Sequence, residues 1–252
     1  MTKGPRTAPV SPATSGPVPR GPSTRELLKL GWDYPVHQAT EAPRSEGTSV
    51  RAPREALPRE AAMRFIAGKD PRPLLVLREC SFCNKTDDAL LTPGIDNERT
   101  MFLARWFHCV KLPVDVILPD HSFNALFPND DAEHLFVSAV DGSTKAPLEA
   151  DTSRVDLWSA MGKVLAAAYV KDPMIAYKEV HQVFDRLDVL DQKLAELDIK
   201  KSGIMESPSP DLAKLKRVEA EIGEVRKEIA SNREEIARLS KLDLKPGAVA
   251  GR

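Results

Sequence analysis

The chain has 252 residues, of which 42% are hydrophobic, and this is enough apolar material for one or two compact cores. Its 36 basic and 37 acidic residues give a formal net charge of −1, so neither nucleic acid nor an anionic membrane surface is expected as a partner. Aromatic residues make up only 6% of the chain, which also argues against a base-stacking platform for single strands.

The three cysteines are odd in number and too few for the disulfide framework of a small secreted domain. Residues 1–24 lack the apolar stretch of a signal peptide, and the chain has no apolar run of about eighteen residues that could span a bilayer. We therefore expect a soluble, cytoplasmic protein with no bound cofactor. In a reducing compartment, a close pair of cysteines is more often catalytic, redox-sensing or metal-binding than structural.

Residues 1–57 are predicted to form a disordered arm, because they are rich in proline and show little sustained periodicity. An apolar island at residues 25–34 interrupts this arm with leucine, tryptophan and tyrosine. Two interpretations of the island stay open. It docks a partner, or it packs back on its own domain.

Residues 58–172 show the alternating elements of an α/β domain with a mixed sheet and helices on both faces. The apolar run at 74–77 predicts a strand buried on both faces, and alternation predicts a second strand over 107–117. A third strand over 135–140 leads into the turn signal Asp141 and Gly142, followed by an edge strand over 144–149 in which Pro147 is tolerated. Helices are predicted over 60–67, 84–91, 97–105 and 153–170.

From Pro173 onward, apolar residues recur at alternating steps of three and four, which is typical of a coiled coil. A break rich in proline, serine and glycine at 201–210 divides this pattern, so we expect an antiparallel coiled-coil hairpin over 173–241. The hairpin is expected either to form a homodimer or to pack on its own domain. Asn232 is a polar residue at a seam position, and residues 242–252 are expected to form a flexible tail.

Cys80 and Cys83 form a CxxC motif directly after the first predicted strand and at the start of a predicted helix. Unpaired backbone N–H groups and the macrodipole at a helix N-terminus stabilise a thiolate, so we expect a lowered pKa for Cys80. Cys83 lies one turn further along the same face, within reach of an intramolecular disulfide. Cys80 is therefore expected to attack a disulfide of a protein partner, and Cys83 to resolve the mixed disulfide.

The order of strand, CxxC motif and helix resembles the thioredoxin family, and the likeness extends over residues 58–170. The resemblance implies a thioredoxin-like mixed sheet with flanking helices. It also implies that the first cysteine of the motif is the nucleophile and the second resolves. The function implied is that of a thiol-disulfide oxidoreductase or redox sensor acting on a protein partner.

The sequence departs from the family pattern at three places. The family has a cis-proline directly before the third strand, whereas residues 130–133 read Asp-Asp-Ala-Glu here. A buried acid in the first strand is absent from residues 74–77, and Glu79 stands where the family has tryptophan. Like-charge repulsion from Glu79, Asp87 and Asp88 is expected to oppose thiolate formation.

Two other interpretations of the motif stay open. In the first, the cysteine pair is inert and the chain is a thioredoxin-fold scaffold that binds or dimerises through its coiled coil. In the second, zinc is held by Cys80, Cys83 and one of His108 and Cys109, since zinc often takes two cysteines from a CxxC motif. Adjacent strand residues point to opposite faces, so at most one of the second pair could face such a site. Cys109 by itself is predicted to be a small buried core residue.

Overall fold

The computed structural model describes residues 20–37, 56–79, 90–91, 97–127, 133–148 and 152–246. Within these ranges the elements are, in chain order, α1 Pro22–Leu27, α2 Arg59–Ala67, β1 Leu74–Arg78, α3 Glu98–Ala104, β2 His108–Leu112, β3 Leu135–Ser138, β4 Ala146–Leu148, α4 Arg154–Ala168, α5 Pro173–Met205 and α6 Leu212–Leu239. Two short 3₁₀ turns, Val114–Ile117 and Asn124–Leu126, lie between β2 and β3.

The four strands form one mixed sheet in the order β2-β1-β3-β4. β1 pairs in parallel with β2, from Leu74 beside His108 to Arg78 beside Leu112. β3 is antiparallel to β1, and β4 is antiparallel to β3. These pairings confirm the predicted α/β class with a mixed sheet and flanking helices.

Each face of the sheet has its own apolar core, because successive residues of β1 point to opposite faces. Leu74 and Val76 pack with α2 and the segment that leads from β2 to β3. Leu75 and Leu77 pack with the helices α3 to α6. The continuous apolar run in the sequence therefore corresponds to a strand that is buried along its whole length.

Three of the four strands, β2, β3 and β4, are shorter than the sequence pattern predicted, whereas β1 extends one residue further, to Arg78. β2 ends at Leu112, because Pro113 has no N–H to donate to a neighbouring strand and the chain turns into a 3₁₀ segment instead. β3 ends at Ser138, before the turn in which Gly142 adopts a positive φ of 79°. Pro147 lies in β4 at the edge of the sheet, where the missing donor is tolerated.

α5 and α6 are long helices that pack against each other along their length. They run antiparallel, since Lys201 pairs with Glu219 near their connection whereas Arg186 pairs with Glu235 further from it. The apolar residues of their shared seam are buried within the single chain: Leu187, Leu190, Leu197, Ile204, Val218, Ile222, Val225, Ile229, Ile236 and Leu239. Although α5 has 33 residues, no helix in the described ranges is long and apolar enough to cross a membrane.

The base of this helix pair shares a core with the sheet domain. The rings of Phe102 in α3 and Phe184 in α5 meet with centroids 5.5 Å apart. After α6 the chain stays attached, because the indole of Trp106 donates to the carbonyl of Ser240 at 2.9 Å and Leu244 bridges to Tyr169. Residues 242–246 are therefore ordered and packed, in contrast to the flexible tail expected there; residues 247–252 lie outside the described residues.

Residues 20–37 pack on the domain, which corrects the prediction of a disordered arm for this part of 1–57. α1 lies against α5, Leu28 is buried, and Asp33 bridges to Val110 at the outer edge of β2. Of the two interpretations of the apolar island, the structure agrees with the one in which it packs on its own domain. Local composition could not reveal this, because the segment's partners lie far along the chain; the acids that accept from Ser23 and Thr24, for example, lie 164 to 168 positions later. Residues 1–19 and 38–55 lie outside the described ranges.

Candidate functional site

The predicted site residues, Cys80 and Cys83, lie outside the described residues, as does most of the helix predicted over 84–91. The strand that leads into them is described, and it is an interior strand between β2 and β3. β1 ends at Arg78, two residues before Cys80. Ligands and reacting groups of open α/β sheets collect at the carboxyl ends of such strands. The CxxC motif thus follows directly from the end of the sheet where chemistry is expected.

Two backbone hydrogen bonds hold the end of β1 between its neighbours. The N–H of Arg78 donates to the carbonyl of His134 at 2.7 Å, just before β3. The N–H of Glu79 donates to the carbonyl of Leu112 at 2.9 Å, at the end of β2. The chain is therefore fixed on both sides up to the residue that precedes Cys80.

Charged side chains surround this end of β1. Arg78 is buried, with its guanidinium over the ring of Phe127 at 5.6 Å from the centroid and 3.4 Å from Nε2 of His134. Glu79 pairs with Lys111, with Nζ and Oε1 3.0 Å apart. Two cations, Arg78 and Lys111, and the carboxylate of Glu79 thus lie together at this end of β1. A neighbouring cation favours the thiolate form of a cysteine.

The predicted repulsion between Glu79 and a thiolate is offset by Lys111, which neutralises that carboxylate. Asp87 and Asp88, the other two acids considered, lie outside the described residues. Sequence reasoning did not single out Arg78 or Lys111 as site residues. The available signal was an arginine that directly follows four apolar strand residues, since a charged side chain in an interior strand is unusual unless it is paired.

His134 lies directly before β3, which begins at Leu135, and no cis peptide bond occurs among the described residues. The carbonyl of His134 accepts from the N–H of Arg78, and its imidazole lies beside the guanidinium of Arg78. An ionisable side chain therefore stands at the start of β3, next to the end of β1.

Cys109 is a core residue, as predicted. It is 4% exposed, and its Sγ lies 3.4 Å from the carbonyl of Ala104, to which it donates. Burial raises the pKa of this thiol to about 12, so it stays protonated at neutral pH. Cys109 is therefore poorly suited to be a nucleophile or a metal ligand.

His108 lies at the start of β2, beside Leu74, which is the opposite end of β1 from the CxxC motif. Four residue steps along a strand span about 13 Å. The imidazole Nε2 is instead 3.2 Å from a carboxylate oxygen of Asp33. Within the described part of the chain, no group of three or more His, Cys, Asp and Glu residues is arranged to hold a metal ion. The register therefore does not favour a zinc site that combines His108 or Cys109 with the motif.

Comparisons of the chain with protein-family models, with curated proteins and with solved structures found no match. The candidate site is therefore defined by the residues of this chain alone. A CxxC motif follows an interior strand whose end carries a buried guanidinium, a neutralised carboxylate and an imidazole.

Proposed function

We propose that residues 58–172 form a thioredoxin-like domain that exchanges thiols and disulfides with a protein partner, or senses redox state, through Cys80 and Cys83. The observation that carries the proposal is the continuity of β1, an interior strand of the mixed sheet, with the CxxC motif. A mixed sheet covered by helices on both faces is also what the resemblance to the thioredoxin family implies.

In the proposed reaction, the thiolate of Cys80 attacks one sulfur of a partner disulfide. A bond forms between Cys80 and that sulfur while the partner's S–S bond breaks, and the other partner sulfur leaves as a thiolate that takes a proton. The thiolate of Cys83 then attacks the sulfur of Cys80, which releases the partner's second thiolate and leaves a disulfide between Cys80 and Cys83. Two electrons pass from the pair to the partner, and an external dithiol returns the pair to its reduced form.

The charges at the end of β1 support a reactive thiolate in this proposal. Arg78, which is buried, stands two residues before Cys80 in the chain. A cation close to a thiol favours its negative form, and more strongly so where water is excluded. Lys111 contributes by neutralising Glu79.

A thiol redox titration of the full chain tests the proposal. The protein is equilibrated in buffers of graded dithiol-to-disulfide ratio and alkylated, and the free thiols are counted by mass. We expect one reversible two-electron transition, which should be absent from both Cys80→Ser and Cys83→Ser.

Cys109→Ala is the matched control, because its thiol is buried and has a pKa of about 12. This variant is expected to keep the transition with an unchanged midpoint. The proposal fails if the pair stays reduced at every buffer ratio, or if the transition depends on Cys109. Either result would favour the scaffold function.

A second candidate function is partner binding through the hairpin of α5 and α6. It is favoured by large apolar side chains that are 57% to 73% exposed on the hairpin: Val189, Ile199, Met205 and Leu212. Since the seam between the helices is filled within one chain, a homodimer through 173–241 has to use this outer surface. Light scattering tests it: a two-chain mass that falls to one chain in an Ile199→Asp, Leu212→Asp variant supports the dimer, and a one-chain mass for the unmodified protein contradicts it.

A further inference from the structure

Residues 20–28, here named the strap, place one arginine in a site built by α3 and α5. Arg20 donates to both carboxylate oxygens of Glu98, at 2.5 and 3.0 Å. Another of its nitrogens donates to Asp185 and Asp188, both at 2.6 Å. Nε2 of His181 lies 3.0 Å from the guanidinium. The side chain of Arg20 is only 15% exposed, so its planar head is enclosed by acceptors.

The residues after Arg20 extend these contacts along the same face of α5. The N–H of Gly21 and the hydroxyl of Thr24 both donate to Asp188, at 2.8 and 3.0 Å. The N–H and the hydroxyl of Ser23 donate to the two oxygens of Asp191, both at 2.8 Å. The acids on α5 are spaced by three residues and therefore form one continuous acidic face.

Gly21 is required by the close approach of the strap to α5. A Cβ atom at this position would lie 2.4 Å from Oδ2 of Asp191 and 2.9 Å from its Cβ. Any side chain here would push the strap away from the helix. The site therefore attracts the positive charge of an arginine and, in addition, requires that glycine follows this arginine directly.

Carboxylates outnumber cations around the guanidinium of Arg20, whereas further along the strap Arg233 donates to the hydroxyl of Ser23 at 3.4 Å. Glu98, Asp185 and Asp188 surround a single guanidinium, which leaves two negative charges in excess when His181 is neutral. Burial alone would lower the pKa of Arg20, but its hydrogen bonds to these carboxylates outweigh burial and raise it. These carboxylates would therefore attract a segment with more positive charge more strongly than they attract the strap.

We propose that the acidic face of α5, together with Glu98, is a recognition site for Arg-Gly segments followed by Ser or Thr. The strap is its resident ligand, and a partner protein that carries a more basic segment of the same pattern displaces it. The site is distinct from the cysteine pair, and its occupation does not require thiol chemistry.

Binding of a fluorescein-labelled peptide with the sequence of residues 18–30 to the full-length chain tests the proposal. The strap fills the site in the unmodified chain and competes from the same molecule, so we expect the peptide to bind an Arg20→Ala chain at least about tenfold more tightly. Adding Asp188→Asn to that chain should weaken peptide binding by about tenfold or more, because charge-assisted hydrogen bonds are lost.

Three altered peptides separate recognition from general electrostatics. Gly21→Ala keeps the charge but introduces the clash with Asp191, so it should not bind. Lys29→Ala removes a positive charge whose ion pair in the described structure is with exposed Glu26, so it should bind like the unaltered peptide. Pro19→Arg adds a positive charge next to Arg20, so it should bind more tightly.

Equal binding of the unaltered and the Gly21→Ala peptides would overturn the proposal, because binding would then depend on the charge of the peptide and not on the glycine. Failure of every peptide to bind a folded Arg20→Ala chain would also overturn it, because Arg20 would then form a structural ion pair only. If circular dichroism shows that Arg20→Ala does not fold, Arg20→Lys takes its place. A compact ammonium group cannot reproduce the two-pronged contact with Glu98, so the peptide should still compete successfully for the site.

Discussion

Asp70 and Arg72 form an ion pair just before β1, with Oδ2 and a guanidinium nitrogen 2.6 Å apart. Arg72 also donates to the carbonyl of Arg105 at 2.9 Å, so the pair ties the entry of β1 to the end of α3. Burial raises the pKa of Asp70, but the hydrogen bonds and charge of Arg72 outweigh burial and lower it. A carboxyl group with a lowered pKa in the folded state stabilises the fold above its unfolded pKa of about 3.9.

Asp70→Asn is therefore expected to reduce the free energy of unfolding near pH 7 by about 1 kcal/mol or less, because both partners are partly exposed. As the pH falls from about 4 through the folded pKa, the native carboxyl becomes protonated and the difference from the variant should vanish. Urea unfolding followed by tryptophan fluorescence, repeated at a series of pH values from 7 down through the acid range, measures how this difference declines. A difference that persists in acid would show that the carboxylate charge is not the cause.

At the residue scale, the sequence predicted the burial of Cys109 but did not predict the ion pairs of Arg20. Cys109 lies within a local strand pattern, so its burial could be read from its immediate neighbours. Arg20 is recognised by groups that lie far along the chain, with Asp188 at a separation of 168 positions. Arg78 was not predicted either, since the predicted strand ended at residue 77 and the contacts of Arg78 with Phe127 and His134 depend on the tertiary fold.

At the scale of elements, the seam between α5 and α6 determines the stability of the hairpin. Ile229 in α6 is 8% exposed, and an aspartate there would bury a carboxylate among apolar side chains. We expect Ile229→Asp to lower the free energy of unfolding by on the order of 3 kcal/mol. Thermal unfolding followed by far-UV circular dichroism measures the loss.

Ile175→Asp is the control for this substitution, because Ile175 also lies in the hairpin, in α5, but is 54% exposed. Its effect should stay within about 0.5 kcal/mol. Equal losses in the two variants would mean that the substitutions act through helix propensity or net charge, and would contradict a seam closed within one chain.

The helices of the hairpin were predicted better than the strands, for a physical reason. The period of apolar residues in α5 and α6 is local and extends over many turns, so it specifies both the helices and their mutual contact. The strand ends depend on Pro113 and on the turn at Gly142, and the order β2-β1-β3-β4 depends on pairing between distant segments. Local alternation indicated that strands exist, but it did not set where each ends.

At the scale of the whole molecule, one of the two cores, the one on the sheet face that carries α3 to α6, extends across the predicted boundary at 172. Phe184 belongs to α5 and packs on Phe102 of the sheet domain, while Trp106 of that domain donates to Ser240 beyond α6. The heptad pattern predicts contacts between the two helices only. The residues that lie off the seam, including Phe184, attach the base of the hairpin to the domain, and the repeat contains no information about their partners.

The distance along the chain between the strap and its site has a consequence for how the protein is made. Asp188 is synthesised 168 residues after Arg20, which at about 5 to 20 residues per second corresponds to a delay on the order of 10–30 s. All four strands of the sheet leave the ribosome before α5 does, so the sheet and the core on its α2 face can form while the strap is still undocked. Docking of the strap is therefore a late step, and a nascent chain arrested before α5 carries an arginine whose acidic site does not yet exist.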